Sequence, residues 1–89
     1  MKIIVSPNPS KKYRAIFDNG THTDFGAKGY TDYTINKDDA KKKAYIARHK
    51  VNENWNDPYK AGTLSRYILW NYTSLNDSVA DYKRRFGFK

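Results

Sequence analysis

Apolar and polar residues alternate in the first third of the chain, and apolar residues recur with a helical period in its second half. In residues 12–17, Tyr13, Ala15 and Phe17 alternate with mostly polar neighbours, the period of two that is typical of a strand with one buried face. Residues 3–5 form a shorter apolar run, and the prolines that follow end it because proline has no backbone N–H to donate. The pattern predicts a small N-terminal antiparallel sheet.

A β-hairpin is predicted directly after the strand at residues 12–17. Asn19 and Gly20 both tolerate a positive φ, which suits a two-residue type I′ turn, and residues 21–25 would return as the partner strand. This register places Asp24 opposite Ala15. The glycines at positions 26 and 29 then interrupt the pattern. Residues 30–35 are either a third strand or an aromatic loop, and we favour an irregular loop that ends in a short strand.

The next pattern is helical. Asn36 is the predicted N-cap, acidic residues follow in the first turn, and the helix should run to about Lys50. Its predicted apolar stripe consists of Ala40, Ala44, Ala47 and Val51.

The second half of the chain predicts two more helices. Asp57 and Pro58 are typical of a helix start, and residues 64–70 are apolar almost all round the axis, as in a central buried helix. Ser74 is the predicted N-cap of the last helix and Gly87 its end. The buried face of that helix is predicted to carry Leu75, Val79, Tyr82 and Phe86. The chain thus predicts a single compact domain over residues 1–89, of α+β class, with a small N-terminal antiparallel sheet and β-hairpin followed by about three helices.

Composition narrows the functional classes. The 89 residues carry 17 Lys and Arg against nine Asp and Glu, a net charge of +8, which favours a polyanionic partner such as nucleic acid or an anionic membrane surface. The absence of cysteine excludes disulfides, thiolate zinc sites and thiol nucleophiles, and it suits the reducing interior of a cell. The apolar run near Met1 is too short for a signal peptide or a membrane span, so we expect a protein that is not secreted.

Several short motifs together resemble a known family. They are Tyr13 with Phe17 and Asp18, residues 25–30 continuing through Asp32-Tyr33-Thr34, residues 45–50 with Glu53-Asn54-Trp55, and Ala61-Gly62 followed by Ser65-Arg66 and Leu69-Trp70. Over most of its length the chain resembles an uncharacterised family of small basic proteins of large nucleocytoplasmic DNA viruses, including marseillevirus-like giant viruses. It departs from that pattern at Thr63, Leu64 and Tyr67, where relatives carry larger aromatics. The resemblance implies a virion-associated protein that also acts in the host-cell cytoplasm or nucleus. It supplies no assigned catalytic or ligand-binding residues.

Basic residues are the first candidates for binding. Their side chains could neutralise phosphates and release counterions on binding nucleic acid. The candidates are Lys11, Lys12 and Arg14 on the predicted strand and Lys41, Lys42, Lys43, Arg48 and Lys50 on the first long helix. Successive helical residues point about 100° apart, so the alternative is an ordinary solvated helix face. A third cluster is at residues 83–85, where Arg84 and Arg85 lie within helical reach of Asp81 and are therefore less available.

Aromatic and titratable residues give less evidence of function than the basic residues do. Most aromatics are needed for a small core, whereas Tyr30, Tyr33 and Trp55 lie beside predicted loops and are candidates for base stacking or partner contact. Arg66, the one charge on the buried helix, is predicted to pair with an acid such as Asp32 or Asp57. The two histidines have no metal-ligand spacing, so we expect no metal, no cofactor and no enzyme.

Three functions remain, in order of preference. The first is sequence-independent binding of nucleic acid that helps to organise or condense a viral genome. The second is a structural module of the virion, or one that contacts a host protein, which an exposed aromatic patch near Trp55 or a symmetric homo-oligomer would favour. The third is an enzyme, which would need a pocket lined by His49, Asp38 and Asp57.

Overall fold

A computed structural model describes residues 1–89 and shows an α+β fold, as predicted. Three antiparallel strands in the order β1-β2-β3 come first, and the helices follow. The strands are β1 (Lys2–Val5), β2 (Lys11–Ile16) and β3 (His22–Ala27); the helices are α1 (Tyr33–Asn36), α2 (Asp39–His49), α3 (Ala61–Leu64) and α4 (Leu75–Phe86). Helix α3 runs directly into a π-helical turn, Ser65–Leu69. The chain therefore has one more helix than predicted, the short α1.

The β2–β3 hairpin is confirmed, but its loop has three residues and not the predicted two. The Phe17 N–H donates to the Thr21 carbonyl at 2.9 Å and the Gly20 N–H to the Phe17 carbonyl at 3.1 Å. Gly20 is left-handed with φ 88°, whereas Asn19 is not, so the turn is of type I with a left-handed glycine after it.

The longer loop changes the register of the hairpin. Asp24 lies opposite Arg14, and Thr23 takes the predicted place opposite Ala15. A slip of one residue moves a side chain to the other face of a sheet. The carboxylate of Asp24 therefore lies away from the core and forms a bidentate pair with Arg14, at 2.7 and 3.1 Å.

Residues 30–35 contain no strand, so that prediction was wrong. Asp32 instead caps α1, where its side chain accepts from the Thr34 N–H at 2.9 Å. Its other carboxylate oxygen accepts from Lys12 Nζ at 2.5 Å. Because Lys12 lies on β2, this buried ion pair fixes the 30–32 loop and α1 to the sheet.

Helix α2 begins two residues later than predicted. Asn36 belongs to α1, and Asp38 is the N-cap, accepting from the Ala40 and Lys41 N–H groups. The preceding Lys37 is left-handed with φ 52°, which separates the two helices.

The predicted alanine stripe of α2 is wrong. Ala40, Ala44 and Ala47 are exposed, as is Val51 beyond the helix, and the helix instead packs through Tyr45 and Ile46. An alanine buries little apolar area, so the larger Tyr45 and Ile46 side chains decide which face is turned inward.

The second half agrees with prediction except at the start of the central helix. Asp57 and Pro58 were predicted to begin it, but Asp57 caps only a turn by accepting from the Tyr59 N–H, and α3 begins at Ala61. Leu64, Ile68, Leu69 and Trp70 are buried, which confirms the central helix, although its last turn is π-helical with the Trp70 N–H donating to the Ser65 carbonyl at 3.1 Å. Ser74 caps α4, and Gly87 ends it in a left-handed conformation. Tyr82 is fully buried, and the other three predicted residues of that face pack against the core.

Gly26, at the end of β3, permits close packing of the π-helical turn on the sheet. Its φ is +79°, and a Cβ at this position would lie 2.8 Å from Leu69 Cδ1. We expect Gly26→Ala to lower the free energy of unfolding by about 2 kcal/mol, through backbone strain plus overpacking.

Gly20→Ala is the matched control for that substitution. Gly20 has a similar φ of +88° but no heavy atom within 4 Å of its Cβ position, so only the strain of about 1 kcal/mol applies. Urea denaturation measures both variants. Equal losses would show that contact with Leu69 contributes nothing.

Candidate functional site

A cleft of about 630 Å³ lies between the sheet and the helices. One wall comes from β2 and β3 with the 30–32 loop, and the other from α2, α3 and the π-helical turn. Its charged lining residues are Lys11, Lys12, Asp32, Lys41, Arg48 and Glu53, and His49 also lines it. We call this site the basic cleft. Its volume is within the roughly 300–1,000 Å³ typical of ligand sites.

Three cations at the basic cleft have no acidic partner. No carboxylate lies within 4.0 Å of Lys11, Lys41 or Arg48, and the latter two are exposed about two turns apart on α2. Lys12 differs because its charge is already offset by Asp32 at 2.5 Å. The basic cleft therefore offers three cationic groups to an anionic ligand.

A stack of three rings forms part of the α2 wall. Tyr45 lies between His49, with ring centroids 4.1 Å apart, and Trp70, at 4.5 Å and nearly parallel. Burial, with a smaller contribution from the negative charge of Glu53, raises the pKa of Tyr45 to about 12. Both faces of the Tyr45 ring are occupied, so this residue supports the wall and is not available for stacking with a ligand.

The Tyr45 phenol should lose its proton only at high pH. Its folded-state pKa is raised, so the neutral form stabilises the fold below the ordinary pKa of about 10, and this contribution is lost as the pH rises from about 10 towards 12. We expect Tyr45→Phe to remove one late component from a spectrophotometric tyrosine titration. Tyr82, whose pKa is also raised by burial, supplies another, and an unchanged titration of the Tyr45 variant would contradict the assignment.

Glu53 places one carboxylate inside the basic cleft. Its Oε2 accepts from the Trp55 indole N–H at 2.8 Å, and its Oε1 lies 3.5 Å from His49 Nδ1 without a hydrogen bond. The carboxylate also lies against Gly62, whose Cβ position is 3.0 Å from Oε1. Besides Asp32, which pairs with Lys12, the basic cleft therefore contains a second, half-buried carboxylate.

Several predicted binding residues lie outside the basic cleft. Arg14 is engaged by Asp24 on the opposite strand, which lowers the pKa of that carboxyl through the hydrogen bond to Arg14. Lys42 donates to the Asn71 carbonyl at 2.6 Å and lies 4.8 Å from the Tyr33 ring centroid. Lys43 and Lys50 are exposed elsewhere on the surface. Among the predicted cations, the structure brings Lys11, Lys12, Lys41 and Arg48 together and separates the other four.

The three aromatic candidates differ in environment. Tyr30 is 74% exposed and borders the basic cleft. Tyr33 lies outside it and donates a hydrogen bond from its hydroxyl to Asp39. Trp55 is half-buried, with its N–H bound to Glu53 and the Arg66 guanidinium 5.5 Å from its ring. Only Tyr30 is placed to stack on a ligand in the cleft.

Arg66 does not pair with an acid, so that prediction was wrong. Its Nη1 donates to the Trp70 carbonyl at 2.9 Å, and its guanidinium lies 4.8 Å from the Tyr67 ring centroid. The predicted partner Asp32 is already occupied by Lys12, and burial lowers the pKa of Arg66. Arg66 therefore caps the end of the π-helical turn.

Comparison with protein-family models gives one match. The model of a family of unknown function, DUF5754, matches residues 1–49, more than half of the chain. The chain belongs to this family. No curated protein and no solved structure matches it.

The DUF5754 region covers β1 to α2 and contains every cation of the basic cleft. Glu53, Gly62, Ser65, Leu69 and Trp70 also line the basic cleft and lie beyond the matched residues. The site is thus assembled from the DUF5754 region and the segment after it.

The geometry gives less support to catalysis, metal binding or a membrane span. His49 lines the basic cleft, but Asp38 caps α2 and Asp57 accepts from the Tyr59 N–H, so neither joins it there. No group of three or more His, Asp or Glu is placed to hold a metal ion. None of the helices has the length and apolar character needed to cross a membrane.

Proposed function

We propose that this DUF5754 protein binds nucleic acid through its phosphates, without reading a sequence, at the basic cleft. The observation that carries the proposal is the placement of Lys11, Lys41 and Arg48 around one concave site, with no carboxylate within 4.0 Å of any of the three. Contacts from cationic side chains to phosphate fix position but carry no base information.

The number of free cations sets the expected salt dependence. Each neutralised phosphate contributes a slope of about 0.7 to 0.9 to the fall of log K with log salt concentration, so three contacts predict a slope of about −2 to −3. The net charge of +8 would add weak, diffuse attraction beyond these contacts.

Two double variants of α2 separate the cleft from general charge. Lys41→Gln with Arg48→Gln removes two cations that line the basic cleft, whereas Lys43→Gln with Lys50→Gln removes two that do not. We expect the first variant to bind labelled DNA more weakly and to lose about 1.5 units of salt slope, and the second to change little. Fluorescence anisotropy over a range of salt concentrations measures both.

Two results would count against the proposal. Equal losses in the two double variants would show that binding follows net charge and not the basic cleft. Wild-type binding no tighter than that of a folded basic control protein at physiological salt would remove nucleic acid as the ligand.

The resemblance to virion proteins supplies a biological setting for this activity. In that setting, sequence-independent binding by a packaged protein would organise or condense a genome, and detection of the protein in purified virus particles would test it. The alternative of a structural or host-contacting module would have drawn support from an exposed Trp55. That residue is half-buried and hydrogen-bonded, so nucleic acid remains the preferred partner.

A further inference from the structure

The charged residues of the basic cleft differ in exposure. Lys41 and Arg48 are exposed, whereas the Glu53 side chain is only 29% exposed and its Oε1 accepts no hydrogen bond. A phosphate placed beside Glu53 would meet that carboxylate, and like charges repel. A ligand suited to this arrangement carries its negative charge on the outside and hydrogen-bond donors on the inside.

Single-stranded nucleic acid has this distribution of groups. Its phosphates follow one edge of the strand, and its unpaired bases present donors and flat rings on the other. The exocyclic amino groups of cytosine and adenine donate hydrogen bonds, and a carboxylate accepts from cytosine N4. Thymine has no amino group.

The shape of the site also favours a single strand over a duplex. A duplex is read by protein elements that protrude into its grooves, the major groove being about 12 Å wide. Here the charged residues border a concave volume of about 630 Å³. Tyr30, 74% exposed beside it, has a free ring for a base to stack on.

We infer that the basic cleft takes a single-stranded segment of nucleic acid with an amino-bearing base turned inward to Glu53 and its phosphates held by Lys11, Lys41 and Arg48. This inference rests on the proposed function and specifies its substrate. The basic cleft would then prefer certain types of base, although it would recognise no defined sequence.

Glu53→Gln tests the inward base. The amide oxygen can keep the hydrogen bond from Trp55, and the amide nitrogen then replaces Oε1, so that the cleft presents a donor where it presented an acceptor. We expect the wild type to bind oligo-dC and oligo-dA about tenfold more tightly than oligo-dT of equal length, and the variant to bring this ratio to one or below. The salt slope should stay within about one unit of the wild-type value, because the cations are untouched.

Gly62→Ala is a second variant that leaves the charge in place. Its new Cβ would lie 3.0 Å from Glu53 Oε1 and displace the carboxylate, so the same loss of base preference is expected. Tyr30→Ala should weaken binding of single strands about tenfold, whereas Tyr72→Ala, which removes an exposed ring outside the cleft, should not. Circular dichroism confirms that each variant is folded.

Three outcomes separate this inference from the proposed function. Tighter binding of single strands than of duplex, with a base preference that Glu53→Gln removes, supports both. Equal binding of duplex and single strands, or a dC to dT ratio that neither cleft variant changes, overturns the inference and leaves the proposed function standing. Binding of every oligonucleotide no tighter than by the basic control protein overturns both.

Discussion

Replacing Tyr82 by alanine is expected to lower the free energy of unfolding by about 4 kcal/mol, the usual cost of truncating a fully buried aromatic residue. Tyr82 has no exposed surface, and its ring packs against Phe86 and Phe88 with centroids 4.7 and 6.3 Å away. Its hydroxyl donates to the Pro58 carbonyl at 2.6 Å, which ties α4 to the loop before α3. Small domains have a total stability of about 5–15 kcal/mol, so this change should leave the protein close to unfolding at room temperature.

One further substitution separates the contribution of the Tyr82 hydroxyl from that of its ring, and another serves as a control at an exposed tyrosine. Tyr82→Phe keeps the ring but leaves the Pro58 carbonyl without its donor, and we expect a loss of about 1–2 kcal/mol. Tyr72→Ala removes a ring that is 47% exposed and should change stability by about 0.5 kcal/mol or less. Chemical denaturation measures all three, and a loss below about 1.5 kcal/mol for the alanine variant of Tyr82 would show that α4 contributes little to the core.

Replacing Lys12 by methionine should lower the free energy of unfolding by about 3 kcal/mol. The change leaves Asp32, which is 2% exposed, as a buried charge without its cation. Breaking a buried ion pair by removing one partner costs about 3–5 kcal/mol. The lower end applies here because the Thr34 N–H and hydroxyl still donate to the carboxylate.

A second substitution should restore most of that loss. Asparagine at position 32 can still accept from Thr34 but carries no charge, so Lys12→Met with Asp32→Asn is expected to be more stable than Lys12→Met alone. Urea denaturation of the two single variants and the double variant gives the coupling free energy. Independent, additive losses would mean that the 2.5 Å contact contributes nothing to stability.

Local patterns predicted the elements better than they predicted their connections. The alternation around Tyr13 to Phe17 and the stripe from Leu75 to Phe86 depend on neighbours in the chain, and both are found in the structure. The length of the hairpin loop depends on whether φ is positive at Asn19. The sequence is compatible with a loop of two residues and with a loop of three. That single residue decides whether Asp24 faces Ala15 or Arg14.

The candidate site was predictable only in its components. Lys11, Lys41 and Arg48 are recognisable as cations from the sequence, but their grouping depends on α2 turning Tyr45 inward and its alanines outward. Glu53 follows α2 in the chain, and no spacing indicates that it enters the cleft. Its contacts with Trp55 and Gly62 are set by the packing of α3, which a one-dimensional pattern does not contain.

The ring stack in the cleft wall also places an intrinsic fluorophore at the site. Trp70 packs on Tyr45 at the basic cleft, and Trp55, which does not line the cleft, is the other of the two tryptophans in the chain. After Trp55→Phe, all indole emission would come from Trp70. Its wavelength and its quenching by solutes would then follow occupancy of the cleft with no dye on protein or ligand, so that ligands of any class could be compared on one scale.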